Sequence, residues 1–290
     1  MKVHGHIDEI KVIQMEVLEF LNNDSYILDD LQNKIESIYY SSLNQEFQYK
    51  LKLLFMLLLQ ISNDHHRSSN FFQKLEQIFS LFKDEIKKRF TNREFFDIFR
   101  SNKIIILYLL EEIIIVMDKY IINSMLVIEN SKYKAGNYDR FFHREIKFFL
   151  EEHKIERELF DFNTDVFLKF DEKRHIGEND SYICQLIRDG SIEEFVVYVN
   201  RTNFPLSASV ESSIFETNSF LIHTNPDLIE YAAFFGSIQI FQYLRLNNVE
   251  LKPSLYLYAI HSNNTEMIHL LEENHIEPHY MLIQFRCYLK

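Results

Sequence analysis

Glycine and proline are scarce in this chain: its 290 residues include five glycines and four prolines. Because these residue types mark turns and interrupt regular structure, their scarcity favours long helices over an all-β fold. The chain is nevertheless 47% hydrophobic, with 27 phenylalanines and 16 tyrosines, so it can bury a large core. Chains that remain unfolded have low hydrophobicity, and this composition therefore excludes disorder of the whole chain. We expect an all-α fold.

Cysteine is equally scarce, since the chain contains only Cys184 and Cys287. The two residues form neither a C-x-x-C motif nor a dense extracellular pattern. We interpret both as small buried hydrophobic residues in a reducing environment. The N-terminal residues 1–20 are charged throughout and lack the uninterrupted apolar run of a signal peptide. These features predict an intracellular protein, most simply a cytoplasmic one.

The chain is acidic, with a formal net charge of −12. Negative charge repels phosphate backbones and anionic membranes, which disfavours nucleic acid and lipid surfaces as partners. Two apolar stretches, 51–61 and 104–117, raise the question of a membrane span. The first is too short to cross about 30 Å of hydrocarbon. The second carries two central glutamates, each costing about 3 kcal/mol on insertion scales. We interpret both as buried helices, and membrane association stays an alternative.

Apolar residues recur at helical spacing through most of the first 175 residues. The spacing predicts helices at 7–21, 28–38, 45–61, 70–90 and 93–99, one long or broken helix at 103–129, and one or two helices within 138–174. The polar stretch 171–180 follows and contains Gly177. We place a domain boundary there, between an N-terminal helical region, 1–175, and a second region, 176–290.

The second region repeats with a period of 27 residues. The segment from Pro226, "PDLIEYAAFFGSIQIFQYLRLNNVE", aligns with the segment from Pro253, "PSLYLYAIHSNNTEMIHLLEENHIE". A weaker copy precedes them, so the predicted repeats lie near 183–199, 226–250 and 253–277. A fixed period of this kind indicates stacked helix-turn-helix units. The connection 200–225 between the first two repeats is too long for a plain turn.

Small residues recur at fixed positions of the repeats, where they permit close helix packing and a tight turn. Alanines allow the first helix to approach its neighbours closely, and Gly236 suits a turn because glycine tolerates a left-handed backbone. Leucines form the buried stripe of the second helix, which one repeat cannot cover without its neighbours. The predicted structural positions are Ala232, Ala233, Gly236, Leu244, Ala259 and Leu271.

On these residues the second repeat resembles an ankyrin repeat. The positions that match are Ile229, Ala232, Ala233, Gly236, Ile240, Phe241 and Leu244. The chain departs from the ankyrin pattern in three ways: the Thr-Pro-Leu-His start is missing, the loop glycine is Asn248, and the period is 27 instead of 33. Over about 176–279 the chain resembles the divergent ankyrin-like domain of unknown function in trichomonad ankyrin-repeat proteins.

The resemblance implies a short ankyrin-like helix-turn-helix solenoid after an N-terminal helical bundle or leader. It also implies a non-catalytic protein–protein interaction module with an unidentified protein partner. Further repeats usually follow in that family, so we expect a truncated member. An uncapped end would expose surface of the kind that Leu271 provides and allow self-association.

Ankyrin domains bind partners along their first helices, and this implies a set of candidate contacts here. The candidate partner-binding residues are Tyr231, Phe234, Phe235, Tyr258, His261 and Ser262. Tyr231 and Tyr258 recur in both copies, which favours a core role for each of them over a partner contact. Phe234 aligns with His261, and a position that differs between copies is the better candidate for a partner contact.

No catalytic motif is present: the chain lacks the glycine-rich phosphate-binding patterns, H-E-x-x-H and G-x-S-x-G. We therefore predict no catalytic residue, no cofactor and no metal. The polar candidates that we interpret as structural or solvated are His4, His6, the Asp64-His65-His66 run, Glu111, Glu112, His261, His269, His275 and His279. An unrecognised helical enzyme or ligand-binding domain in 1–175 stays an alternative.

Overall fold

A computed structural model describes residues 2–39, 44–64, 70–130, 137–156 and 169–277. Within these ranges the regular structure is helical, apart from one isolated antiparallel bridge between Ser209 and Asp227. The all-α prediction is thus confirmed.

The chain divides into two compact units. The first comprises Met1–Val127 with Phe142–Leu159, and the second comprises Ile128–Phe141 with Phe160–Lys290. Because contacts alone do not test independent folding, the domain limit at residue 175 stays a prediction.

The first ten helices of the described chain cover most of the predicted ones, with one additional break, at Phe82, and with the broken form of the helix predicted at 103–129. They are α1 Lys2–Asn22, α2 Leu28–Tyr39, α3 Asn44–Asp64, α4 Phe71–Leu81, α5 Lys83–Arg89, α6 Asn92–Phe99, α7 Lys103–Glu111, α8 Lys119–Asn130, α9 Tyr138–Phe141 and α10 His143–Glu152. The predicted helix 70–90 is interrupted at Phe82, and the predicted helix 103–129 ends at Glu111 and restarts at Lys119.

Phenylalanine side chains build the core of the first compact unit. Phe55 of α3 is fully buried, and its ring contacts five other phenylalanine rings from α4, α6 and the segments beside them. The closest is Phe95, whose ring centroid lies 4.9 Å away at a right angle. Such edge-to-face pairs add to the stabilisation from burial alone. The high phenylalanine content therefore serves this core.

Eight further helices follow in the second compact unit. They are α11 Phe170–Ile176, α12 Tyr182–Arg188, α13 Ile192–Thr202, α14 Ser219–Thr224, α15 Leu228–Phe234, α16 Ile238–Leu246, α17 Leu255–His261 and α18 Thr265–Glu273. Each predicted repeat corresponds to a helix pair: α12 with α13, α15 with α16, and α17 with α18. Helix α15 packs against both α12 and α17, and α13 packs against α16. One apolar core runs through all three pairs.

The stretch around Gly177 does not behave as a loose linker in the structure. Arg174 of α11 is buried, and its Nη1 donates to the carbonyl oxygen of Phe141 at 3.1 Å. Its Nη2 lies 3.1 Å from the Asp171 carboxylate. Gly177 then ends α11 with a left-handed backbone, at φ +69°. Polar contacts therefore fix this segment within the second compact unit.

The turns inside the first two helix pairs each contain a left-handed glycine, Gly190 and Gly236. After α15, the amide of Gly236 donates to Ala233 O and the amide of Ser237 donates to Ala232 O, at 3.2 and 2.9 Å. These two bonds define a Schellman motif, in which a left-handed residue closes the helix. Asn263 has the corresponding left-handed conformation in the third pair.

The structure places the alanine and leucine positions of the repeats in the interior, whereas Gly236 is half-buried. Ala232, Ala233, Leu244, Ala259 and Leu271 are all buried. The expectation that Leu271 contributes exposed surface at the end of the repeats is therefore wrong, because α17 and α18 enclose its side chain in the shared core. The exposed aliphatic residues of that last pair are instead on α17: Leu257 and Ile260.

Candidate protein-binding surface

The connection 200–225 determines the environment of the first-helix aromatic residues. Backbone hydrogen bonds fix it to the start of α15: Val210 N donates to Pro226 O at 2.7 Å, and Leu228 N donates to Ala208 O at 3.1 Å. Within the connection, Asn218 caps α14 by accepting from the amide of Phe220 at 3.0 Å. The connection is thus a structured segment attached to the second helix pair.

Phe220 of this connection lies over the first helices of two pairs. Its ring stacks on Phe234, with centroids 6.0 Å and planes 14° apart. The same ring contacts Tyr258 edge-on at 5.0 Å and His261 at 4.5 Å. Phe234 and Tyr258 are consequently only 4% and 3% exposed. The connection therefore covers residues that the repeat pattern assigns to a partner.

Tyr231 is also an interior residue, held by a polar contact from the first helix pair. Arg188 Nη1 donates to the Tyr231 hydroxyl at 3.0 Å and to the carbonyl oxygen of Asn179 at 2.7 Å. Arg188 Nε pairs with the Glu178 carboxylate at 2.6 Å. Burial raises the pKa of Tyr231 well above its ordinary value. The alternative of a core role for this tyrosine is the one that the structure favours.

Cys184 lies in the same part of the core. It is fully buried, as predicted, and burial raises the pKa of its thiol to about 11. A thiol of this kind is protonated and unreactive at neutral pH. Cys287 lies outside the described residues.

Three residues whose rings contact Phe234, together with Ser262, which follows one of them in the chain, stay partly accessible. Phe220, Phe235, His261 and Ser262 are half-buried. The rings of Phe235 and His261 lie 5.0 and 5.2 Å from that of Phe234, on which Phe220 also stacks. We call these four residues the aromatic rim. Three of them belong to the predicted set, whereas Phe220 lies in the non-repeating connection and carries no periodic signal.

A pair of carboxyl groups marks the start of α15. Glu230 Oε2 accepts from the amide of Asp227 at 3.0 Å, and Glu230 Oε1 accepts from Ser254 Oγ at 2.6 Å. Lys252 Nζ lies 2.5 Å from Asp227 Oδ2. Because each group satisfies the end of a helix or a neighbouring polar group, we interpret this cluster as a capping box and not as an acid–base pair.

The two carboxyl groups differ in acidity. Burial, and then the hydrogen bond shared with Asp227, raise the pKa of Glu230. Burial by itself also raises the pKa of Asp227, but hydrogen bonds from Glu230 and Lys252 outweigh it, so that pKa lies below its ordinary value. As pH falls, Glu230 is therefore protonated before Asp227.

A groove in the first compact unit bears on the alternative of a ligand-binding domain. It lies between α3 and α6 and has a volume of about 290 Å³. Its lining residues are Gln48, Tyr49, Lys52, Phe90, Glu94 and Ile98. Hydrogen bonds from Thr91 lower the pKa of Glu94, and Thr91 and Glu94 form the capping box of α6. The capping of α6 therefore explains the lowered pKa of Glu94, and this pKa is not by itself a sign of ligand binding.

The remaining polar residues considered for metal binding or catalysis do not form one common site among the described residues. His269 pairs with Glu272 at 3.2 Å, and the exposed Glu112 pairs with Lys83 at 2.9 Å. Over the residues that the structure describes, no group of three or more His, Cys, Asp or Glu side chains could hold a metal ion. Several predicted candidates lie outside the described side chains: His4, His6, Asp64, His65, His66 and His279.

Comparisons with known proteins found no match to a family model, to a curated protein or to a solved structure. The resemblance to ankyrin repeats therefore rests on the residues of this chain. Within the described ranges, no helix has the length and apolar character needed to cross a membrane.

Proposed function

We propose that this chain is a non-catalytic, intracellular protein–protein interaction module whose residues 176–277 form a short ankyrin-like solenoid. The observation that carries the proposal is the packing of α15 between α12 and α17 within one apolar core. Each pair thus covers its neighbour's apolar stripe, as stacked repeats require. Stacking of this kind leaves a rigid surface, which suits recognition of another protein.

The aromatic rim is the surface that we assign to the partner. Half-exposed aromatic side chains make strong interface anchors because they lose little conformational freedom on binding. Residues 176–290 contain 6 Lys/Arg and 14 Asp/Glu, a net charge of −8. Charge complementarity therefore favours a partner whose contacting surface is apolar and bordered by basic side chains.

Two histidine substitutions provide a matched test. His261→Ala removes a ring of the aromatic rim, whereas His269→Ala removes an exposed histidine from the second helix α18. We immobilise the full chain and measure saturable binding of proteins from an extract of the native cell. His261→Ala and Phe235→Ala should each weaken binding about tenfold, the effect of a typical anchor residue.

The control His269→Ala should bind like the unmodified chain. Equal binding by His261→Ala and Phe235→Ala would contradict the assignment of the rim, provided that both variants keep the thermal midpoint of the unmodified chain. Loss of binding in all three variants would place the contact elsewhere on the second compact unit.

The groove between α3 and α6 supports a second candidate function, binding of a small ligand by the N-terminal region. Its volume of about 290 Å³ lies just below the range that is usual for ligand sites, about 300–1,000 Å³. Lys52 and Glu94 offer one charge of each sign, so an amino acid is a fitting probe. At least one of a set of amino acids should raise the thermal midpoint of the unmodified protein but not that of Lys52→Ala. If none of them shifts the midpoint, this second function is excluded.

A further inference from the structure

Helix α17 exposes two aliphatic side chains on one face. Leu257 and Ile260 lie three positions apart in this helix, and residues at that spacing are neighbours on a helix surface. Their side chains are 36% and 44% exposed. The 27-residue period gives each of them a counterpart in α15, namely Glu230 and Ala233. The two first helices can therefore be compared position by position.

In α15 the next first helix covers the corresponding face. Glu230 and Ala233 are only 7% and 0% exposed. Helix α17 packs on α15, and Ser254, which directly precedes α17, donates to Glu230 Oε1 at 2.6 Å. The face of α17 that carries Leu257 and Ile260 is therefore, by its position in the repeat, a stacking face for another first helix.

The sequence offers a helix for this face directly after the last pair. Residues 278–290 lie outside the described part of the chain. Written from residues 226, 253 and 280, three segments read "PDLIEYAAF", "PSLYLYAIH" and "YMLIQFRCY". Leu282 and Phe285 occupy positions that are buried in both earlier copies, where the residues are Leu228, Tyr231, Leu255 and Tyr258. The repeat pattern thus continues into residues 280–290.

The contact between α15 and α17 indicates which residues would meet in the next step of the stack. Glu230 bonds Ser254, which lies 24 positions later. The same separation joins Leu257 to Met281. A polar pair is thus replaced by an apolar pair, so both positions change character together and remain compatible. Contact between Leu257 and Met281 would remove apolar surface from water, which favours docking.

We propose that residues 280–290 form the first helix of a fourth repeat and dock on the face of α17 that carries Leu257 and Ile260. One position departs from the pattern: Arg286 stands where the earlier copies bury Ala232 and Ala259. Because burial of a charge is costly, this side chain weakens the docking. The fourth first helix is therefore held less firmly than α15 or α17.

The docked helix would also extend the candidate binding surface. Tyr288 aligns with Phe234 and His261, whose rings lie 5.2 Å apart on neighbouring first helices. It would therefore continue this row of rings beside the aromatic rim. The role of Tyr288 rests on the proposed function, whereas the docking itself is tested without any partner.

Intramolecular cross-linking of the full chain tests the docking. Leu257→Cys and Met281→Cys are combined with Cys287→Ser, and the protein is treated with a short bismaleimide. Cys184 does not compete, because it is fully buried and its thiol has a pKa of about 11. The control replaces Leu257→Cys by His269→Cys, an exposed position of α18 that lies nearer to residue 281 in the sequence.

The two preparations should differ clearly. Docking holds positions 257 and 281 at a high effective concentration, so their cross-link should form about tenfold faster than that of the control. A segment that moves freely would instead react at least as fast with position 269. Equal rates, or a faster control, would overturn the proposal. A cross-link between two chains would also overturn it, since a second copy would then cover the face.

Hydrogen exchange provides an independent measurement. The amides of residues 282–289 should exchange at least about tenfold more slowly in the full chain than in a synthetic peptide of residues 278–290. Ile260→Asn should remove this protection, and Arg286→Ala should increase it. Val197→Asn, at a 64% exposed position of α13, is the control and should leave it unchanged. Exchange of the full chain at the rate of the peptide would contradict the docking.

A binding measurement examines Tyr288 separately. In the assay with immobilised chain, Tyr288→Ala should weaken binding about tenfold, as loss of an aromatic anchor does. Unchanged binding, together with a fast cross-link between positions 257 and 281, would exclude Tyr288 from the binding surface and support the docking. Slow cross-linking together with normal binding to the aromatic rim would overturn the docking and leave the proposed function intact.

Discussion

Phe220 stacks on Phe234, with ring centroids 6.0 Å apart and planes 14° apart. The first residue belongs to the connection before α15, and the second to α15 itself. The repeat pattern predicts that Phe234 contacts a partner. In the structure, the connection that contains Phe220 covers it instead. The residues that stay accessible to a partner are therefore Phe220 and the other members of the aromatic rim.

Replacement of Phe220 by alanine tests how much this contact contributes. The ring is half-buried against three aromatic side chains, so Phe220→Ala should lower the free energy of unfolding by about 1–3 kcal/mol, below the loss for a fully buried phenylalanine. Urea unfolding measures the change. Phe148→Ala is the control, because Phe148 is 69% exposed and its loss should change stability by less than about 0.5 kcal/mol. Equal effects of the two variants would contradict the contact.

The two turn glycines should differ in their tolerance of alanine. A Cβ on Gly190 would have its nearest neighbour, Ser237 Oγ, at 4.0 Å, so Gly190→Ala should destabilise by about 1–2 kcal/mol through the left-handed backbone alone. A Cβ on Gly236 would lie 3.2 Å from Asn264 Nδ2, and Asn264 caps α18. Gly236→Ala should therefore cost about 2–3 kcal/mol, because strain and a weakened cap add.

Thermal or urea unfolding of the two glycine variants, measured side by side, decides this prediction. A larger loss for Gly190→Ala than for Gly236→Ala would show that the third helix pair does not approach the second turn as closely as described.

Glu230 should make stability depend on pH. Its folded pKa is raised from the ordinary 4.5, so the stability that its protonated form contributes is present below that value and is lost as pH rises through the folded pKa. Glu230→Gln cannot ionise; its amide oxygen can accept from Asp227 N, and its amide NH2 can donate to the Ser254 hydroxyl oxygen. The variant should gain stability relative to the unmodified chain as pH rises above 4.5, the ordinary pKa of the carboxyl group. Urea unfolding of both proteins at several pH values measures this difference. A lower urea midpoint for Glu230→Gln than for the unmodified chain would contradict the raised pKa of Glu230.

Cys184 should resist thiol reagents in the folded protein. With a pKa of about 11, its thiol is almost entirely protonated at about pH 8, and burial blocks access to the sulfur. Peptide mapping after treatment with a maleimide should show Cys184 modified only in denaturant. Its modification in the native protein at the rate of an unfolded cysteine would contradict its position in the core.

The sequence predicts helices well because apolar spacing is a local property. The 27-residue period places the helix pairs and the positions of Ala232, Ala233 and Gly236, since close packing and a left-handed turn each demand particular residue types. Three helices of the first compact unit, α2, α3 and α6, match the predicted ranges to within a few residues.

Two features escape such reasoning. The role of Phe220 depends on a contact across 14 residues from a segment without periodicity, so no pattern marks it. The break at Ile113 falls inside the apolar run 104–117, where an isoleucine signals continuation of a helix and not its end. The chain after that position is held by a tertiary contact, in which the Asn92 side chain bonds the backbone of Val116.

The central claim is that a protein partner binds at the aromatic rim of the second compact unit. Photo-cross-linking tests it most directly, with a light-activated amino acid at position 261 of the full chain and, in a second preparation, at position 269. In an extract of the native cell, we predict a discrete protein adduct from position 261 that excess unmodified chain suppresses, and no such adduct from position 269. Absence of an adduct at 261, or equal and unsuppressed adducts at both positions, would contradict the claim.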